Sequence, residues 1–131
     1  MVASLGVQSR KKASTCHPEL ILLANVVVRH FDLSVLEGHR EPDRQVQLFR
    51  EKKTRTLDDS AHLLLPSDGI DMLPYPIDYE DWERMIYFGG FVMATAALLR
   101  IPLIWGGDWD HDQILKDERW RDLAHFERRS D

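Results

Sequence analysis

His62 and Asp71 stand nine positions apart in the stretch SAHLLLPSDGID, and His125 closes the tetrad Asp122-Leu-Ala-His near the end of the chain. Two imidazoles and one carboxylate, with a fourth position left for water, form a known catalytic zinc arrangement. An ion held in this way lowers the pKa of water towards about 7 and polarises a carbonyl oxygen. A further carboxylate must then accept the water's proton and pass it to a leaving amine. Asp122 suits that task if the tetrad is extended or turned, so that its acid faces the same pocket as His125 without binding the ion. Spacing alone does not decide, because a histidine and an aspartate this far apart occur often by chance. His17, before a helix start, and His30, near a helix end, have plain structural readings, as does His111 in an exposed loop.

Asp108, Asp110 and Asp112 alternate in DWDHDQILKD, like the first half of a calcium loop. The glycine and terminal glutamate of an EF-hand are missing, and a plain acidic turn is the simpler account. Trp105 and Trp109 flank the Gly106-Gly107 turn, and Tyr75, Tyr79 and Trp82 follow Asp71 closely. Aromatics at such spacing are usually core. Trp105 is assigned there, whereas Trp109 or Tyr75 could wall a groove for a peptide.

The elements that must position these groups follow from patterning. Residues 1–16 are polar and aperiodic and read as a flexible arm, with Cys16 an incidental thiol. PELILLANVVVRHF opens with proline and an acid and keeps one apolar helical face. LSVLEG reads as a strand, and EPDRQVQLFREKK as a second helix that gives way to a polar loop over residues 54–60. GIDMLPYP is a second strand, and DYEDWERMIYFGGFVMATAALLR carries the longest helical pattern. Its Gly89-Gly90 pair implies a close approach to a neighbouring strand, at some cost in helix propensity. IPLIWGGDW and LAHFE supply two last strands around the acidic loop. The order α-β-α-β-α-β-β predicts an α+β fold: one domain over 17–131, with helices covering a small, mainly antiparallel sheet.

Composition narrows the function. The chain has 131 residues and a net charge of -5, from 17 Lys and Arg against 22 Asp and Glu. That balance argues against a general nucleic-acid binder. No apolar run approaches the roughly 20 residues that cross a bilayer, so no membrane insertion is expected. The basic start lacks a hydrophobic block, which argues against a secretory signal. One cysteine excludes an internal disulfide.

Taken together, FDLSVLEGHREPDRQVQLF, SAHLLLPSDGIDMLPYPID, IPLIWGGDWD and RDLAHFE resemble the zinc D-alanyl-D-alanine carboxypeptidases and L-alanyl-D-glutamate endopeptidases (VanY-like). Among these, the pattern is most similar to small bacteriophage endolysin peptidases. The resemblance runs from about His17 to Glu127 and implies a hedgehog/DD-peptidase-like fold. It also implies that His62, Asp71 and His125 hold Zn2+, that Asp122 is the catalytic base, and that Arg40 steadies a substrate carbonyl or carboxylate as charge develops. Ser60 belongs to the Ser-x-His motif and, with Trp109 and Tyr75, is a candidate for contact with substrate. Asp68 is a rival third ligand, although alternation turns it away from Asp71. Ca2+ at Asp108, Asp110 and Asp112 is a further expectation, since some phage enzymes of this type are thought to respond to calcium.

The resemblance therefore implies a phage endolysin cutting peptidoglycan stem peptides, with the L-alanyl-D-glutamate bond favoured because the chain is short. The expected enzyme is a monomer, made in the host cytoplasm without a signal peptide and acting on the wall after release. D-alanyl-D-alanine carboxypeptidase activity is the alternative within the class. A non-catalytic zinc-containing wall-binding module and an inert zinc-stabilised fold are the alternatives outside it.

Overall fold

Helix α2 (Pro18–Val27) begins on residues suited to a helix start: Pro18 takes a first-turn position and His17 Nδ1 accepts the Glu19 N–H at 3.1 Å. Its face of Leu20, Leu23, Ala24 and Val27 is fully buried. Helix α3 (Pro42–Arg50) also starts on a proline, and turns Gln45 and Leu48 inward. Helix α4 (Trp82–Leu98) is capped by Asp81, whose carboxylate accepts the Arg84 N–H at 3.0 Å. Met85, Phe88, Val92 and Ala96 give it a buried stripe at helical spacing. In this computed structural model the described residues are 3–53, 60–118 and 120–129; the expected loop at 54–59 lies outside them.

Four strands make one antiparallel sheet in the order β1-β2-β4-β3: β1 (Leu33–Glu37), β2 (Gly69–Pro74), β3 (Leu103–Trp105) and β4 (His125–Arg128). Side chains alternate across it. Ile70, Met72 and Phe126 point into the core beneath α4, where Phe88 meets Phe126 edge-on and Trp105 stacks on Phe126. Burying a side chain such as Phe126 stabilises the fold by roughly 1.5–3 kcal/mol. A Cβ on Gly89 would lie 2.3 Å from the Trp105 ring, so this helix position must be glycine for α4 to lie against β3. Gly90 meets nothing, and only one of the pair serves the approach.

The opposite face carries polar side chains. Asp71 pairs with His125 across β2 and β4, and with Glu37 across β1 and β2. That second pairing depends on a bulge between Val35 and Glu37, where β1 spends an extra residue against β2. Such an insertion re-aims the side chain that follows it, here Glu37.

The flexible-arm reading of residues 1–16 is corrected over the described residues 3–16. Val7–Ala13 form helix α1, and Leu5, Ala13 and Cys16 are core residues at 2% exposure. Ser9 Oγ accepts the Val35 N–H at 2.9 Å, so α1 closes the outer edge of β1. The order is thus α-α-β-α-β-α-β-β, within the expected α+β class. Strands are shorter than expected: β2 stops at Pro74 and β4 starts at His125. Among the described residues, no helix is long and apolar enough to cross a membrane.

Candidate active site

His62 sits on a single 3₁₀ turn, Ala61–Leu63, capped by Ser60, whose Oγ accepts the His62 N–H at 3.3 Å. Asp71 comes from the middle of β2 and His125 from the first residue of β4. Three atoms converge. Asp71 Oδ1 lies 3.0 Å from His62 Nε2 and 3.0 Å from His125 Nδ1, and the two nitrogens are 3.1 Å apart. Both histidines are almost wholly buried.

The outer nitrogens decide what the inner ones can do. His62 Nδ1 is 2.6 Å from the Gly38 carbonyl oxygen, which only accepts, so that nitrogen carries the proton. His125 Nε2 is 2.9 Å from Glu127 Oε1, a carboxylate that likewise only accepts. A neutral ring with its proton held on the outer nitrogen turns its lone pair inward, so in that form two lone pairs and the Asp71 carboxylate would meet at a single point. Three lone pairs in contact repel unless a cation lies between them. Two nitrogens and an oxygen match the zinc donor set, and edges of 3.0–3.1 Å come within a few tenths of the roughly 3.3 Å that bonds of about 2.0–2.1 Å impose on tetrahedral neighbours. The residues fit such an ion. In the metal-free protein a proton does that work. Burial alone would raise the Asp71 carboxyl, yet the two imidazoles hold it well below the usual carboxylate range. Burial alone would lower His125, yet its bonds to Asp71 and Glu127 push it up to about 10.

Asp122 flanks this centre. Its N–H donates to the Gly106 carbonyl at 2.8 Å and its own carbonyl accepts the His125 N–H at 3.1 Å. Burial raises its carboxyl above the ordinary value, with the Asp71 charge adding to the effect and His125 opposing it. Arg40 is 7% exposed, its Nε and Nη2 both bonded to Glu37 and its Nη1 to Gln45 at 2.6 Å. Its Nη2 lies 3.9 Å from Asp71 Oδ2. Asp68 is engaged elsewhere, accepting from Arg128 Nε at 3.2 Å, outside the cluster of donor atoms.

The Trp109 ring stacks on Trp120 at 5.8 Å and lies 5.5 Å from the His125 ring, forming a wall of the centre. Tyr75 is exposed, and its backbone carbonyl accepts from Arg84. Asp108, Asp110 and Asp112 converge with Glu118 into a second, all-oxygen group. Its charges crowd: the hydrogen bond to Asp112, with the nearby acidic charges, pushes the neighbouring Asp117 up to about 6. The loop also satisfies these carboxylates from its own backbone, Asp108 accepting the N–H groups of Asp112 and Gln113.

Sequence reasoning missed Glu37, Gln45 and Glu127, which touch the proposed ligands or Arg40. Of these only Glu127 carried a signal: it stands two residues after His125 on a strand, and hence on the same face.

The comparisons agree with this architecture. A curated relative, the L-alanyl-D-glutamate peptidase of Escherichia phage T5, is 27% identical over 124 residues, which span 87% of this chain and 90% of that protein. The crystal structure of the Serratia marcescens L-Ala D-Glu endopeptidase ChiX superposes with a TM-score of 0.76 at 23% identity, covering 97% of this chain and 90% of that one. The model of the phage L-alanyl-D-glutamate peptidase family matches residues 1–128. With its α+β fold and its converging His62, Asp71 and His125, the chain belongs to the phage L-alanyl-D-glutamate peptidase family.

Proposed function

We propose that this chain is a zinc endopeptidase that hydrolyses the L-alanyl-D-glutamate bond of peptidoglycan stem peptides, acting as a phage endolysin. The observation that carries the reading is the meeting of His62 Nε2, Asp71 Oδ1 and His125 Nδ1 with both ring protons committed to outer acceptors. When bound, zinc supplies Lewis acidity for a carbonyl oxygen and makes water acidic near neutral pH. Asp122 takes the proton of the attacking water on a carboxylate oxygen as the carbon–oxygen bond forms. It returns that proton to the amine nitrogen as the carbon–nitrogen bond breaks. Its raised pKa suits a group that must both take and give a proton, and favours a peptidase over a binding module.

Arg40 acts from behind the centre in this reading, holding Asp71 and Glu37 rather than meeting the substrate. Trp109 walls the groove for the stem peptide, with Ser60 and Tyr75 at its margins. The all-oxygen group of Asp108, Asp110, Asp112 and Glu118 suits a hard cation, and calcium is the ion proposed there. The enzyme works as a monomer on the cell wall, reached from the cytoplasm by release.

Mass spectrometry of purified muropeptides after digestion, with metal content measured on the same sample, tests this. The expected products carry a free D-glutamate amine, and release of terminal D-alanine instead identifies a carboxypeptidase. Asp122→Asn should retain the metal and lose about 10²–10⁴-fold in rate. Equal activity in the variant removes Asp122 from the mechanism.

A further inference from the structure

One half-buried carboxylate beside the centre takes no part in the chemistry above. Glu127 Oε1 lies 2.9 Å from His125 Nε2. Among the described residues this is its only side-chain hydrogen bond or ion pair. The next residue, Arg128, is directed to Glu19 and Asp68 instead. A neutral imidazole carries one proton on either of two nitrogens, and only the unprotonated one can bind a metal. His62 has this choice made by the Gly38 carbonyl, a backbone group that substitution does not remove. Among the described residues the ring of His125 meets no backbone acceptor of that kind; its outer nitrogen faces Glu127.

Resting on the metal-binding reading, we propose that Glu127 is a positioning residue for the centre. It accepts the Nε2–H of His125, which fixes the ring plane and leaves Nδ1 as the unprotonated ligand atom facing His62 and Asp71. A carboxylate in that position also makes the ligand nitrogen a better donor. The β4 geometry provides for it, because residues 125 and 127 share one face of the strand and the bond closes across a single intervening residue.

The test compares wild type, Glu127→Ala and Glu127→Gln. Zinc dissociation constants are measured by competition with a chromophoric chelator, with Co2+ absorption spectra and the Tm of chelator-treated protein alongside. Glu127→Ala should bind zinc about 10–100-fold more weakly, with an altered cobalt spectrum. Glu127→Gln, whose amide oxygen still accepts the Nε2–H, should recover most of the affinity. Unchanged zinc affinity in Glu127→Ala overturns the proposal, even if the Tm of the metal-free protein falls. Glu127→Gln binding zinc as weakly as Glu127→Ala overturns it too. A wild-type protein that binds no zinc overturns it together with the reading on which it rests.

Discussion

Replacing Arg40 by alanine separates two accounts of that residue. In the structure its guanidinium bonds Glu37 through two nitrogens, at 3.0 and 2.6 Å, and Gln45 through a third. It also stands 3.9 Å from Asp71 Oδ2. Removing it leaves two carboxylates facing each other across β1 and β2 with no cation between them. Exposed ion pairs contribute about 0.2–1 kcal/mol, whereas removing one member of a buried pair costs about 3–5 kcal/mol. Arg40 is 7% exposed but the Glu37 side chain is 24% exposed, so solvent screens part of the loss. We expect destabilisation of about 2–3 kcal/mol, or roughly 30–150-fold in the unfolding equilibrium. With a typical urea slope, the midpoint of the chelator-treated protein falls by about 1–2 M. Arg40→Lys should recover only part of this, since an ammonium cannot hold Glu37 through a fork. A loss below about 0.5 kcal/mol, with zinc affinity intact and hydrolysis gone, would refute this reasoning and return Arg40 to the substrate.

Two further outcomes follow from the geometry. In the metal-free protein His125 is held up at about 10 against an ordinary value of 6.5, so its contribution to stability is complete below about 6.5 and is lost as pH rises through about 10. Urea unfolding of chelator-treated protein between these limits should show that decline, and saturating zinc should flatten it; a pH-independent midpoint without metal contradicts the assignment. A Cβ on Gly106 would fall 2.1 Å from the Asp122 backbone oxygen. Gly106→Ala must therefore shift the Asp122–His125 turn, lowering stability by about 1–3 kcal/mol and activity by about 10²-fold. Wild-type rates in a folded Gly106→Ala protein contradict it.

The convergence of His62, Asp71 and His125 was legible because such groups are scarce in sequence and stand in motifs whose order matched a resemblance. Gly89 was legible because a glycine inside a strong helical pattern needs a reason. Helix α1 was not. Its buried positions Ser9 and Ala13 are small or polar, so VQSRKKA shows no apolar stripe, and its anchor is a hydroxyl bonded to β1. Glu37 and Gln45 were hidden for another reason. The bulge that turns Glu37 toward Asp71 is a property of two strands together, and a buried glutamine reads in sequence as a solvated helix residue. Arg40 was found by its motif, yet the groups around it, Glu37 and Gln45, were not.

The pairing of Asp71 with His125 across β2 and β4 has a consequence for how the enzyme comes into being. Those two donors lie 54 positions apart in the chain, and a slip of one residue between the central strands would turn them to opposite sides of the sheet. A metal site built on these residues would accordingly be absent from any form in which the two strands are misaligned. It would form only with the correct alignment, and an ion bound there would in turn hold that alignment in place.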